Sequence, residues 1–132
     1  MPQQYVQKQT DQEKLKMSNQ ESVEAYTSQV RRRFVKSFLD ILILRLVATK
    51  PTWGYDIIKA TESMYNFKLR HGALYPMLNH LEKQGLVKSR RELKKGRMRK
   101  VYEITQTGRL VLQSSQDFLK QQTTKSDVKS KK

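Results

Sequence analysis

The 132-residue chain has no cysteine, three prolines, five glycines and one tryptophan, and its 12 acidic residues face 27 lysines and arginines. Each shortage excludes something. Without cysteine there is no disulfide framework, thiolate metal site or cysteine nucleophile. The longest apolar run, FLDILILRLVA, is cut by Asp40 and Arg45, too short and too charged to span a bilayer, and reads as a buried helix. The opening MPQQYVQKQTDQEK lacks an apolar signal core, so a reducing, cytoplasmic setting is expected. No glycine-rich phosphate loop or nucleophile motif is present. His71 and His80 point roughly 180° apart on a helix and cannot share a metal. Asp40, within an apolar stripe, is expected to pair with a nearby base rather than to do chemistry. The chain is therefore not expected to be an enzyme or to need a cofactor.

What is abundant is positive charge. A net charge of +15 favours a polyanionic partner and says nothing by itself about fold. Residues 1–17 are polar and expected to be flexible. SNQE at Ser18–Glu21 has the spacing of a capping box, so a helical extension is expected over 18–33. Val23, Tyr26, Val30, Phe34, Phe38, Ile41, Leu42 and Leu46 recur at helical spacing, either as one long helix or with a bend near Arg31–Arg33. Lys50-Pro51 ends it. A second helix runs from Gly54 to about Tyr65. A third covers the stretch HGALYPMLNHLEKQGLV, with Gly85 suited to a left-handed cap. Strands are expected over Leu86–Leu93 and Met98–Ile104 around a KKGR turn, then a last helix capped by Thr105. From Thr123 the chain is a basic tail, expected to be disordered.

Three helices, a hairpin with a basic tip and a further helix give the order of a winged helix-turn-helix. In that geometry the third helix enters the DNA major groove and the hairpin, the wing, lies along the flanking backbone. On the third helix Leu74, Leu78 and Leu81 fall within about 60° and form a buried stripe. The opposite side carries Gly72, Pro76, Asn79 and Lys83, flanked by His71, Ala73, Tyr75 and His80. Small residues at the helix start let a backbone approach a groove, and free N–H groups there can meet phosphate. Pro76 is an anomaly: either the helix begins near Tyr75, or its first turn is shaped for close approach. From Lys88 to Lys100 eight basic residues face Glu92 alone. If each protomer neutralises ~4 phosphates, a dimer's log affinity falls with log salt at a slope of about −7. Phe34, Phe38, Trp53, Tyr55, Tyr65 and Phe67 read mostly as core, with Trp53 left open between a staple at a helix start and an interface residue.

The segments LDILILRLVATKPTWGYDIIKA, GALYPMLNHLEKQGLV and RKVYEITQTGRLVL, in this order and spacing, resemble the PadR-like family of transcriptional regulators. The resemblance rests on Gly54-Tyr55, on Gly72, Leu74-Tyr75-Pro76, Leu78, Leu81-Glu82 and Gly85-Leu86, and on Tyr102, Thr105 and Gly108. It implies a mostly α fold with a two-stranded wing, and a homodimeric repressor of its own or a neighbouring promoter. It also implies that an aromatic or cationic small molecule can act as effector between subunits. Two departures stand out: Arg70 offers no cap acceptor before the third helix, and the C-terminal region is a single helix. The domain plan is then a winged-helix DNA-binding domain over 34–104 and a dimerisation helix over 105–122, followed by the tail at 123–132. Expected DNA contacts are His71, Gly72, Ala73, Tyr75, Pro76, Asn79, His80 and Lys83 on the recognition helix. Tyr55, Arg90, Lys94, Lys95, Arg97 and Arg99 are expected to join them from the second helix and the wing. Val30, Phe34, Leu112, Ser115, Phe118 and Leu119 are the expected dimer contacts. The partner is double-stranded DNA, no membrane is involved, and the setting is the nucleoid. Rival readings are an architectural nucleoid-type protein without sequence preference and a winged-helix module that binds an acidic protein.

Overall fold

A computed structural model describes residues 3–124, with side chains described from Thr10 onward. Apart from residues 123 and 124, the expected tail lies outside that range. The chain divides into two units, residues 1–36 and 37–132.

The first unit is helical. α1 spans Gln3–Ser37, so the stretch expected to be loose is helical from Gln3 and Ser18 lies inside it rather than capping it. The reason is composition. Gln, Lys and Glu are good helix formers and no glycine or proline intervenes, so the local cap signal is overridden. Leu15, Val23, Tyr26 and Val30 are exposed along it. Of the two alternatives, an unbroken helix and a bend near Arg31–Arg33, α1 takes the first through Ser37; the helical run breaks at Phe38, whose φ of −121° and ψ of 34° leave the helical region.

In the second unit, α2 (Leu39–Thr49) supplies the centre of the core: Leu42, Ile43, Leu44 and Val47 are all buried. Asp40 has no ion pair among the described residues; it accepts a hydrogen bond from the Ile41 N–H at 2.8 Å. In the first turn of α2 a carboxylate faces the positive end of the helix dipole, which satisfies it without a base. β1 (Thr52–Trp53) follows Pro51, then α3 (Gly54–Tyr65), which buries Ile57, Ile58 and Thr61 and ends at Asn66 in the left-handed region. The Thr61 hydroxyl, though fully buried, donates to the Ile57 carbonyl.

α4 (His71–Lys83) begins at His71, so Pro76 is a true interior proline. Leu74, Leu78 and Leu81 are each at most 1% exposed, and a seam of three buried leucines gains about 1.5–3 kcal/mol per side chain, enough to outweigh the proline. No side chain caps the helix; the Arg70 carbonyl accepts from both Ala73 and Leu74. Its end is a Schellman motif. The Leu86 N–H donates to Leu81 and the Gly85 N–H to Glu82, with Gly85 at φ 75°.

β2 (Val87–Lys94) and β3 (Arg97–Ile104) form the wing, joined by Lys95-Gly96, both at positive φ, the two-residue turn that matches strand twist. The wing belongs to a three-stranded antiparallel sheet ordered β1-β3-β2, with Thr52 opposite Tyr102 and Trp53 opposite Val101. α5 (Gln106–Thr123) packs on α2 and buries Leu112 within its own protomer, so Leu112 is a core residue and not a dimer contact.

The joint between wing and α5 is tightly bonded. Thr105 caps α5 by accepting the Gly108 N–H at 3.0 Å, while its hydroxyl donates to the Gly85 carbonyl at 2.6 Å and its N–H to Leu86 at 3.1 Å. Thr105→Ala removes the cap and the Gly85 bond together. It should lower stability in urea unfolding by about 1–2 kcal/mol, with an unchanged m-value.

Candidate nucleic-acid interface

The leucine seam fixes which side of α4 faces outward. His71, Gly72, Ala73, Tyr75, Pro76, Asn79, His80 and Lys83 are all exposed. Pro76 cannot donate to Gly72, four residues earlier, and its ring crowds that carbonyl. A Cβ built on Gly72 would meet nothing within 4 Å, so the fold itself leaves room for a side chain there. The His71 ring stacks on Tyr75 with centroids 5.7 Å apart. Tyr75 in turn lies against Gly54, where a Cβ would come within 2.7 Å of the phenol oxygen. That contact explains the glycine before Tyr55.

Beneath this face Tyr102 is buried, and desolvation, reinforced by the charge of Glu82, raises its pKa above the ordinary phenol value. Glu82 is anchored by the Ser89 hydroxyl, which donates to it at 2.6 Å. Helix and wing are thus tied at a second point.

The wing's charges separate into two groups. Near its base Arg90 donates to Glu103 and lies 3.3 Å from Glu92, and Lys88 is 3.8 Å from Glu103. Glu103 also raises the Arg90 pKa, through that hydrogen bond first. Arg90, expected to contact DNA, is thus held by two carboxylates near the base of the wing. Toward the tip, Lys94, Lys95, Arg97, Arg99 and Lys100 have no carboxylate partner among the described residues. Lys94 and Arg99 instead lie over the Trp53 ring, each 4.6 Å from its centroid.

A cleft of about 650 Å³ opens where β1 stops and β3 continues, lined by Trp53, Gly54, Tyr55, Tyr75, Arg97, Arg99 and Lys100. Tyr55 is 52% exposed, with Lys59 over its ring, and so stands at the surface rather than in the core. Trp53, left open between staple and interface residue, is half-buried and forms a platform for the wing cations. Lys100, absent from the expected DNA contacts, also lines this cleft.

Among the expected dimer contacts, Ser115, Phe118 and Leu119 line a groove of about 480 Å³ with Ser37, Phe38, Asp40 and Ile41. Phe118 is 59% and Phe38 37% exposed, so Phe38 too is not core. Val30 is exposed and Phe34 half-buried. No group of three or more metal-ligating side chains gathers among the described residues, and no described helix is long and apolar enough to cross a membrane.

The profile of the transcriptional regulator PadR-like family matches residues 43–114, from the core of α2 through the wing into α5. The chain belongs to that family. This PadR-like protein is 32% identical to the transcriptional regulator Rv3488 of Mycobacterium tuberculosis over 81 residues, 61% of this chain and 75% of the other. It is similar in structure to a PadR family transcription regulator of Clostridium difficile, with 30% identity and a TM-score of 0.59, covering 64% of this chain and 92% of that one. It is also similar to Bacillus subtilis PadR, solved in complex with operator DNA, at 25% identity and a TM-score of 0.55 over 58% of this chain and 44% of that one. A winged helix, an exposed polar α4 and wing-tip cations without a carboxylate partner among the described residues are the features of a DNA-binding regulator.

Proposed function

We propose that this PadR-like protein is a homodimeric repressor that reads a pseudo-palindromic operator through α4, with its wing on the flanking backbone. The observation that carries this reading is the α4 surface. A helix held by three fully buried leucines turns a small and polar side outward, next to a wing tip whose cations have no carboxylate partner among the described residues. Asn79 suits a bidentate contact to adenine, and Lys83 or His80 suits guanine or phosphate. The wing cations add affinity without sequence information.

A second copy is expected because apolar side chains stay uncovered: Val23, Tyr26 and Val30 on α1 and Phe118 on α5. A two-fold pair sets the two recognition helices about 34 Å apart, one DNA turn. Such a protein works on chromosomal DNA, in the cytoplasm.

Sequencing the genomic fragments retained by the purified protein tests the reading. Recovery of an inverted repeat, still held against excess random duplex, supports a regulator. Fragments without a shared sequence favour the architectural alternative. Expression from the recovered promoter should rise when the protein is removed.

Gly72→Ala separates fold from contact. The site is open and its φ is not positive, so alanine should leave stability unchanged or raise it by up to about 1 kcal/mol. The added methyl group at the α4 entry should nevertheless weaken operator binding by about tenfold, because a close backbone approach is lost. Thermal melting and fluorescence anisotropy on one preparation check both halves.

A further inference from the structure

The wing is longer than the sheet that supports it. β1 pairs with β3 only at Val101 and Tyr102, so from Lys100 outward the hairpin has no third strand beside it. A lone two-stranded hairpin is marginal in water. The link across this gap is Trp53, the last residue of β1. Directly opposed residues of an antiparallel pair share a face, which puts Glu92 with Arg99, Lys94 with Arg97, and Trp53 with Val101 on one side of the sheet. The tryptophan ring lies on that side beneath Lys94 and Arg99, both 4.6 Å from its centroid.

The chemistry of that contact leaves the cations usable. A guanidinium held over an indole face is attracted by the ring without spending its N–H donors on a hydrogen bond. The one carboxylate opposite Arg99, Glu92, is engaged by Arg90. Arg99 is therefore oriented but not neutralised, and it borders the same cleft as Arg97 and Lys100.

We propose that Trp53 is the residue that positions the wing for DNA: its ring steadies Lys94 and holds Arg99 at the cleft between β3 and the start of α3, where Arg99, with Arg97 and Lys100, receives one backbone phosphodiester. This inference rests on the DNA-binding reading and goes beyond it by assigning a role to a side chain that touches no base. Held in place beforehand, Arg99 loses less rotamer freedom on meeting phosphate.

The test uses the full chain and a random-sequence duplex over a series of salt concentrations, because backbone contacts need no operator. Trp53→Leu should weaken binding by about threefold to tenfold at every salt concentration while leaving the slope of log affinity against log salt unchanged, since no charge is removed. Trp53→Phe, which keeps a ring, should recover most of the loss. Arg99→Met should instead flatten the slope by about one per protomer. A folded Trp53→Leu variant that binds like wild type overturns the inference and leaves the DNA reading standing. Wild-type protein that binds no duplex overturns both.

A second measurement does not depend on the variant folding. Trp53 is the sole tryptophan of the chain, so its emission reports this site alone. Duplex titration should shift that emission in step with anisotropy-detected binding, and added salt should reverse the shift. Binding with unchanged emission would overturn the proposed role of Trp53.

Discussion

Gly108→Ala is expected to lower the melting temperature of the purified protein by about 12 °C or more, the largest stability loss of any single methyl group added to this fold. A Cβ at Gly108 would lie 2.1 Å from the Leu86 carbonyl oxygen and 2.8 Å from the Ile104 side chain. The first neighbour is backbone and cannot rotate away. Leu86 also accepts the Thr105 N–H and donates to Leu81 across the Schellman motif, so moving it strains the end of α4 and the start of α5 together. Overpacking of a close-packed site typically costs about 1–3 kcal/mol, and a clash with fixed backbone belongs at the top of that range or above it. Differential scanning calorimetry on the variant measures the shift. A change of only a few degrees would mean that the turn at Leu86 yields easily, and that the joint between wing and α5 is looser than its hydrogen bonds imply.

The same joint illustrates what was legible in the sequence. Thr105, Gly85 and the leucines of α4 each stand out locally, through a cap residue, a glycine after a helix or a 3.6-residue period, and each falls where its local signal points, whereas Gly108 stands out only through the family resemblance. The two ends of the wing and the start of α3 were equally readable. β1 was not, because a two-residue strand has no period; Thr52 and Trp53 become a strand only by pairing with Tyr102 and Val101. The start of α1 was misread for the opposite reason: a good cap signal at Ser18 is overridden by helix-forming residues on both sides of it.

The candidate site divides along the same line. The outward side of α4 follows from the wheel, since three buried leucines leave one arrangement for the rest. The state of the wing cations does not follow from counting charges between Lys88 and Lys100, because the carboxylate that holds Arg90 is Glu103, thirteen positions away. A usable signal existed. The two-residue turn at Lys95-Gly96 sets Arg90 opposite Val101, which places Glu103 diagonally across on the same face. The position of Trp53 beneath Lys94 and Arg99 depends on that register as well as on β1, so it could emerge only with the sheet assembled.

The register also decides which charges matter most for binding. Reversing Lys95 and Arg97 together, Lys95→Glu with Arg97→Glu, should weaken duplex binding about a thousandfold at 0.15 M salt in a two-copy complex. Each phosphate neutralised contributes about five- to sixfold at that ionic strength, and two contacts per protomer compound to four. The slope of log affinity against log salt should fall by about four, from the expected value near −7. Both residues are exposed and have no carboxylate partner among the described residues, so their loss breaks no internal ion pair. Lys95 occupies positive φ, as glutamate would in its place, so the backbone cost of that turn position is already present. Melting should therefore change little while binding collapses. Two controls give the result its meaning. Lys120→Glu, exposed on α5, alters the overall field without touching the wing and should cost far less than Arg97→Glu alone. Arg90→Glu should instead destabilise the fold, because it sets a third carboxylate beside Glu92 and Glu103. Duplex affinity retained in the Lys95/Arg97 variant would remove the wing tip from the interface and leave α4 to bind DNA without it.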